Sequence, residues 1–182
     1  MPTWLWIVIV VVAVLIVIGV IASALRTRRT SALRERFGPE YDRVSADAPT
    51  KREAESELRE REKRRAELDI RPLEQSDRDR FQARWQQVQA EFVDDPAGAV
   101  GNADLLIQEV MRTRGYPVDD FDTRAADLSV DHPQVVEYYR AAHGIAVAHE
   151  RGNAGTEELR HAVQHYRDLF DELVQTRQTE SV

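Results

Sequence analysis

Five histidines are the first residues in this chain with types suited to chemistry: His132, His143, His149, His161 and His165. His161 and His165 lie four apart in HAVQH, and Asp168 follows three later. Imidazoles at that spacing share a helix face and can clamp a divalent ion. The stretch lacks the internal glutamate of HExxH. A helical wheel also turns the pair away from Leu159, Val163 and Tyr166, toward solvent. His161, His165 and Asp168 are therefore weak metal candidates. His143 follows Tyr139 and Arg140 on one helical pattern, where a general base is conceivable but a hydrogen-bonded structural histidine is the simpler role.

The second concentration is RGYPVDDFDTRAADLSVDHP, residues 114–133, with aspartates at 119, 120, 122, 127 and 131. Carboxylates at this density suit Mg²⁺ or Ca²⁺, but their spacing does not match a DxDxDG calcium loop. Local duties compete with catalysis. Gly115 can end one helix in the left-handed conformation, and Pro117 forces Tyr116 toward an extended shape. Phe121, Ala125 and Leu128 fit one face of a short helix. Asp119 or Asp120 can cap its start, Asp131 can cap the next helix near Pro133, and Arg124 is expected to pair with a neighbouring carboxylate. The stretch is read as a structured connector. Tyr116, Asp120, Arg124, Asp127, His132, Arg140 and His143 form a possible interaction surface on it. No catalytic residue and no cofactor site is assigned. The chain has no GxSxG, Walker or Rossmann pattern.

Composition narrows the field. No cysteine is present, which excludes disulfides, thiolate nucleophiles and thiolate metal sites. The net charge of -7 is divided unevenly: residues 26–67 hold 13 basic and 10 acidic side chains, and residues 68–182 hold 12 and 22. An acidic C-terminal body lacks the positive face that phosphate contacts require, so nucleic acid is not expected as a partner.

The elements that must position these residues begin with an anchor. Trp4 to Leu25 contains no charged residue. Its 22 residues make a helix about 33 Å long against a hydrocarbon core of about 30 Å. Trp4 and Trp6 suit an interface, and Arg26, Arg28 and Arg29 follow the other end. By the positive-inside rule the N-terminus faces outward, and the remainder lies on the cytoplasmic side of a bacterial inner membrane. The same arginines would attract anionic lipid. A cleaved signal peptide is the rival, because Ala22-Ser23-Ala24 resembles a cleavage site. The length of the apolar run and the placement of its arginines oppose it.

The expected organisation is all-α: an anchor over 1–25, a charged juxtamembrane helical connector over 26–68, an antiparallel bundle of about four helices over 69–176, and a disordered tail over 177–182. In the connector a short helix starts near Ser31 and stops at Phe37-Gly38-Pro39. Thr50 with Glu53 forms a capping box. Glu55–Arg59, Glu57–Arg61 and Glu60–Arg64 are favourable i,i+4 pairs. Without a sustained heptad, a solvated spacer is preferred over a coiled coil or docking helix. The bundle helices are expected over Ser76–Phe92, capped by Ser76 and Asp79; over Pro96–Arg114, capped by Asp95; from Asp131-His132-Pro133 to Glu150; and from Thr156 as N-cap. Their stripes are Phe81, Trp85, Val88 and Phe92; Val100, Ala103, Ile107, Val110 and Met111; Val136, Tyr139, Ala142, Ala146 and Val147; and Leu159, Val163, Tyr166, Phe170 and Leu173.

RGYPVDDFDTRAADLSVDHPQVVEYYRAAH, residues 114–143, resembles a block in a family of uncharacterised bacterial single-pass membrane proteins. FGPEYDR at 37–43 and FVDDP at 92–96 are similar to other parts of that family's pattern. The resemblance implies an anchored helical protein and brings no catalytic residue with it. Together these features predict a non-enzymatic interaction or scaffold protein that brings a protein partner, or a second copy of itself, to the membrane. The alternative is a membrane-tethered metal-dependent hydrolase using the Asp-rich connector 114–133.

Overall fold

A computed structural model describes residues 3–175, and side chains from Ile16 onward except those at 19, 22, 25 and 26. It is all-helical among the described residues: α1 (Thr3–Phe37), α2 (Pro39–Asp47), α3 (Lys51–Ala66), α4 (Gln75–Glu91), α5 (Pro96–Arg114), α6 (Phe121–Asp131), α7 (Val136–Glu150) and α8 (Thr156–Gln175). The expected tail lies outside the described residues, as do most side chains of the expected anchor. Among the described residues, no helix is long and apolar enough to cross a membrane.

The chain divides into two compact units, residues 1–58 and 59–182. In the first, α1 continues through Ser31 instead of restarting there. Nothing in its sequence breaks it before Gly38, whose φ of 49° ends the helix. The stretch after Gly38 forms a second helix, α2. Pro39 starts it, and Glu40 and Asp42 occupy its positive first turn. Leu33, Phe37, Tyr41, Val44, Ala54 and Leu58 are buried. Glu55 accepts hydrogen bonds from Thr30 Oγ1 at 2.7 Å and Tyr41 Oη at 3.2 Å. Arg43 grips the buried Glu40 with two guanidinium nitrogens at 3.0 and 2.9 Å.

These facts overturn the solvated-spacer expectation for α3. Thr50 does cap it, accepting from the Glu53 N–H at 3.2 Å. But Ala54, Glu55, Leu58 and Arg61 are buried, so a face of α3 is packed. Arg64 reaches Asp127, not Glu60.

In the second unit, α4 packs on α5, α5 on α7 and α8, α7 on α8, and α6 on α7. Short connections return the chain along its neighbour at α4–α5 and α7–α8. The core holds most of the expected stripe residues, with Leu106, Ala162, Leu169 and Val174 added, and with Ile70 and Leu73 from the segment before α4. Phe92, Ala146 and Val163 pack at its margin. Trp85, 1% exposed, stacks on Phe170 with centroids 4.8 Å apart.

Asp95 caps α5 by accepting from the Gly98 N–H at 2.9 Å, and Gly115 ends it at φ 98°. Other expected caps fail. α4 begins after Glu74 without a side-chain cap; Asp79 instead accepts from Gln75 Nε2. Thr156 lies inside α8, and Glu158 turns back to the Gly155 N–H at 2.9 Å. Asp131 ends α6 and does not cap α7, which begins five residues later at Val136.

Candidate functional site

The polar side chains that sequence reasoning grouped on the connector converge within the second unit, but mostly inside it. Tyr116, Arg124, Asp127 and His132, expected on an interaction surface, are buried. Asp120 is exposed and Arg140 half-buried. Gly115 explains the inward turn. Its backbone lies against the chain before α4, so a Cβ there would fall 2.3 Å from the Asp69 carbonyl oxygen. Arg71 N–H closes the junction by donating to the Arg114 carbonyl at 2.9 Å. Tyr116 is thereby directed under α6.

Its hydroxyl donates to Asp131 Oδ2 at 2.7 Å, and Arg65 donates to the same oxygen. Burial, together with the Asp131 charge, raises the Tyr116 phenol well above its ordinary value; it is a fixed donor. Arg114 lies over the Tyr116 ring at 5.8 Å and donates to the Leu173 carbonyl at 3.0 Å, tying the end of α5 to α8. Burial lowers its pKa. His132, 3% exposed, places Nδ1 3.1 Å from Glu172 Oε1. Burial, then the nearby Arg114 charge, lowers its pKa, so at neutral pH it is an uncharged ring.

The outer side of α6 is also polar. Arg61 donates to Ser129 Oγ at 3.1 Å, and Ser129 donates to the Ala126 carbonyl at 2.6 Å. Arg64 donates to Asp127 Oδ1 at 2.9 Å. Sequence reading missed these two contacts and that of Arg65, all three made by arginines of α3. The available signal was the excess of arginine in REREKRRA, which local pairs do not exhaust.

Asp120 caps α6 as expected, accepting from the Thr123 N–H at 2.9 Å and its hydroxyl at 2.7 Å. These bonds hold its carboxyl below its ordinary range. Arg124 does not pair with a carboxylate. It donates to Tyr139 Oη at 2.9 Å and to the Asp119 carbonyl at 2.7 Å. Burial and the Asp104 charge raise both Tyr139 and Tyr166. Arg140 pairs with Glu137 at 2.7 Å. His143 does meet the connector, stacking on Phe121 with centroids 3.7 Å apart.

No family model matches the chain, and neither a curated protein nor a solved structure matches it.

His165 stacks on Tyr138 at 5.4 Å. Among the described residues, no three His, Asp or Glu side chains are gathered to hold a metal ion, so His161, His165 and Asp168 do not converge. A groove beside them is lined by Val135, Tyr138, Asp168, Asp171, Glu172 and Gln175; it does not include the connector aspartates. The arrangement of Tyr116, Asp131, Arg65, Arg114 and His132 holds four segments of chain in register. That is a locking chemistry, in which most donors and acceptors engage one another while Arg114 Nε and His132 Nε2 are buried without a hydrogen-bond partner.

Proposed function

We propose that this protein is a membrane-anchored helical interaction or scaffold protein, non-enzymatic, whose α1 tethers the chain in a bacterial inner membrane with the N-terminus outside and the following residues in the cytoplasm. Its partner is another protein or a second copy of this chain, and anionic lipid is drawn to Arg26, Arg28 and Arg29. One observation carries the reading. α1 is one continuous helix, and Ile16, Val17, Ile18, Val20 and Ile21 are each more than half exposed. At 100° per residue those positions spread over about 200° of the helix, wider than the roughly 100° stripe that packing on one protein face buries; an apolar solvent accounts for that width. The uncharged sequence from Trp4 to Leu25 and the arginines after it fit the same reading. So does the resemblance of residues 114–143 to single-pass membrane proteins.

The hydrolase alternative gains no support from the connector. Asp120 is a cap, Asp127 is held by Arg64, and Asp131 is held by Tyr116 and Arg65.

The test is a topology fusion combined with alkaline extraction of membranes. A cytoplasm-active reporter after Val182 should be active and should stay with the membrane. A reporter active only outside the cytoplasm, or a mature N-terminus at Leu25, overturns the anchoring and its orientation.

A further inference from the structure

α6 is buried on more sides than the core can account for. Ala125 and Leu128 belong to the hydrophobic core. Val130 lies on the opposite side of the helix by the 100° rule, is only 4% exposed, and is absent from that core. Asp127 and Ser129 flank it, both with no exposed surface. Each is reached by an arginine of α3: Arg64 to Asp127 and Arg61 to Ser129. Arg65 reaches Asp131 at the end of the same helix. The segment that sends these arginines, Arg59 to Ala66, has a single apolar side chain, Ala66, and that one is exposed. What holds the cover is therefore polar, helped by the arginine stems.

We propose that residues 59–66 form an electrostatic strap over the outer face of α6, closed by Arg61, Arg64 and Arg65 and opened when competing ions screen them.

Three features make opening feasible. The strap is followed by the turn at the exposed Glu67, while Leu68 packs against the core and Ile70 and Leu73 just beyond are fixed in it; the chain can hinge at Glu67 without disturbing the bundle. Arg64 keeps 42% of its side chain in solvent, and the Arg65–Asp131 pair is about one-fifth exposed on each side, so salt reaches the contacts. Closure also leaves Asp127 Oδ2 buried with no hydrogen-bond partner. Opening returns that oxygen to water, which offsets part of the lost ion pairing. The open state presents Asp127, Ser129 and Val130 on α6, a face that the closed state hides.

The experiment is amide hydrogen exchange on the full chain in detergent micelles, at about 0.1 M and about 1 M sodium chloride, where the screening length falls from about 10 Å to about 3 Å. Exchange in 59–66 should rise about tenfold while α5 and α8 keep their protection, the signature of local opening. Asp127→Asn should raise exchange in 59–66 at low salt already. Glu109→Gln, which removes the Arg84–Glu109 pair of α4 and α5, should leave it unchanged. The strap is overturned if salt leaves 59–66 as protected as before, or if α5 and α8 lose protection by the same factor. Should Asp127→Asn fail to fold, the salt series on the unaltered chain still decides.

Discussion

Tyr116 and Arg65 meet on one oxygen: the phenol donates to Asp131 Oδ2 at 2.7 Å and the Arg65 guanidinium donates to the same atom. Asp131 is the last residue of α6, so this oxygen pins the end of that helix to the chain just after α5 and to α3. A capping aspartate would tolerate asparagine, because an amide oxygen also accepts from a backbone N–H. An aspartate whose charge is used by an arginine does not. Asp131→Asn should therefore cost nearly as much as Asp131→Ala, about 1.5–3 kcal/mol each, as charged hydrogen bonds do. Tyr116→Phe, which removes one neutral donor, should cost about 1 kcal/mol. Denaturant titration checks all three. Near-wild-type stability of Asp131→Asn would show that the charge on Asp131 is not what holds this junction.

A second expectation concerns Trp85. Its ring is buried against Phe170, with the Arg167 guanidinium 5.6 Å from the ring centroid. Trp85→Ala should lose about 3–5 kcal/mol. Its indole N–H has no hydrogen-bond partner, so Trp85→Phe forfeits no hydrogen bond and should be far milder. Equal losses from the two changes would show that a phenyl ring does not hold the site and that the full indole is required.

The core was legible in the sequence because helix stripes recur every three or four residues. Phe81–Trp85–Val88 and Val100–Ala103–Ile107–Val110 can be read by spacing alone. α2 was legible in principle too: Pro39 followed by Glu40 and Asp42 is a helix start, and Tyr41 and Val44 share a face. What sequence could not show was the destination of long polar side chains. Arg61 and Arg64 each have an acidic neighbour at helical spacing, and local pairing is the economical guess. Their partners, Ser129 and Asp127, lie 68 and 63 positions away. Periodicity carries no information about contacts at that separation. For the same reason, Tyr116 and His132 read as surface residues until Gly115 was seen to turn the chain inward.

Two glycines should respond oppositely to alanine. Gly115 sits at φ 98°, and its Cβ would strike the Asp69 carbonyl oxygen at 2.3 Å, a backbone atom that cannot swing aside. Gly115→Ala should cost more than about 2 kcal/mol. Gly101 is inside α5, and a methyl group added there would meet nothing within 4 Å beyond its own helix backbone. Gly101→Ala should stabilise the protein by about 0.5–1 kcal/mol through helix propensity. Thermal unfolding separates the two. A neutral Gly115→Ala would mean the junction with Asp69 yields easily.

The last expectation follows from His132. Its Nδ1 faces Glu172 Oε1 at 3.1 Å, its Nε2 is buried without a partner, and Arg114 stands nearby. Protonation would place a second N–H where nothing accepts it and a positive charge beside another. Glu172 and Asp131 favour the charged ring, but burial and Arg114 outweigh them, and the folded-state pKa falls below the ordinary 6.5. The folded state then binds fewer protons than the unfolded state in the window below about 6.5, so stability rises with pH there. Above about pH 6.5 both states hold a neutral ring and the dependence ends. As pH drops through that window, the unfolded chain takes up the proton first and the fold is weakened. His132→Gln, which keeps a side-chain donor for Glu172 but does not titrate, should flatten this part of the stability profile. The measurement is denaturant stability from about pH 5 to about pH 8, a range in which the other carboxylates and phenols change little. An unchanged slope in His132→Gln would remove His132 from the account.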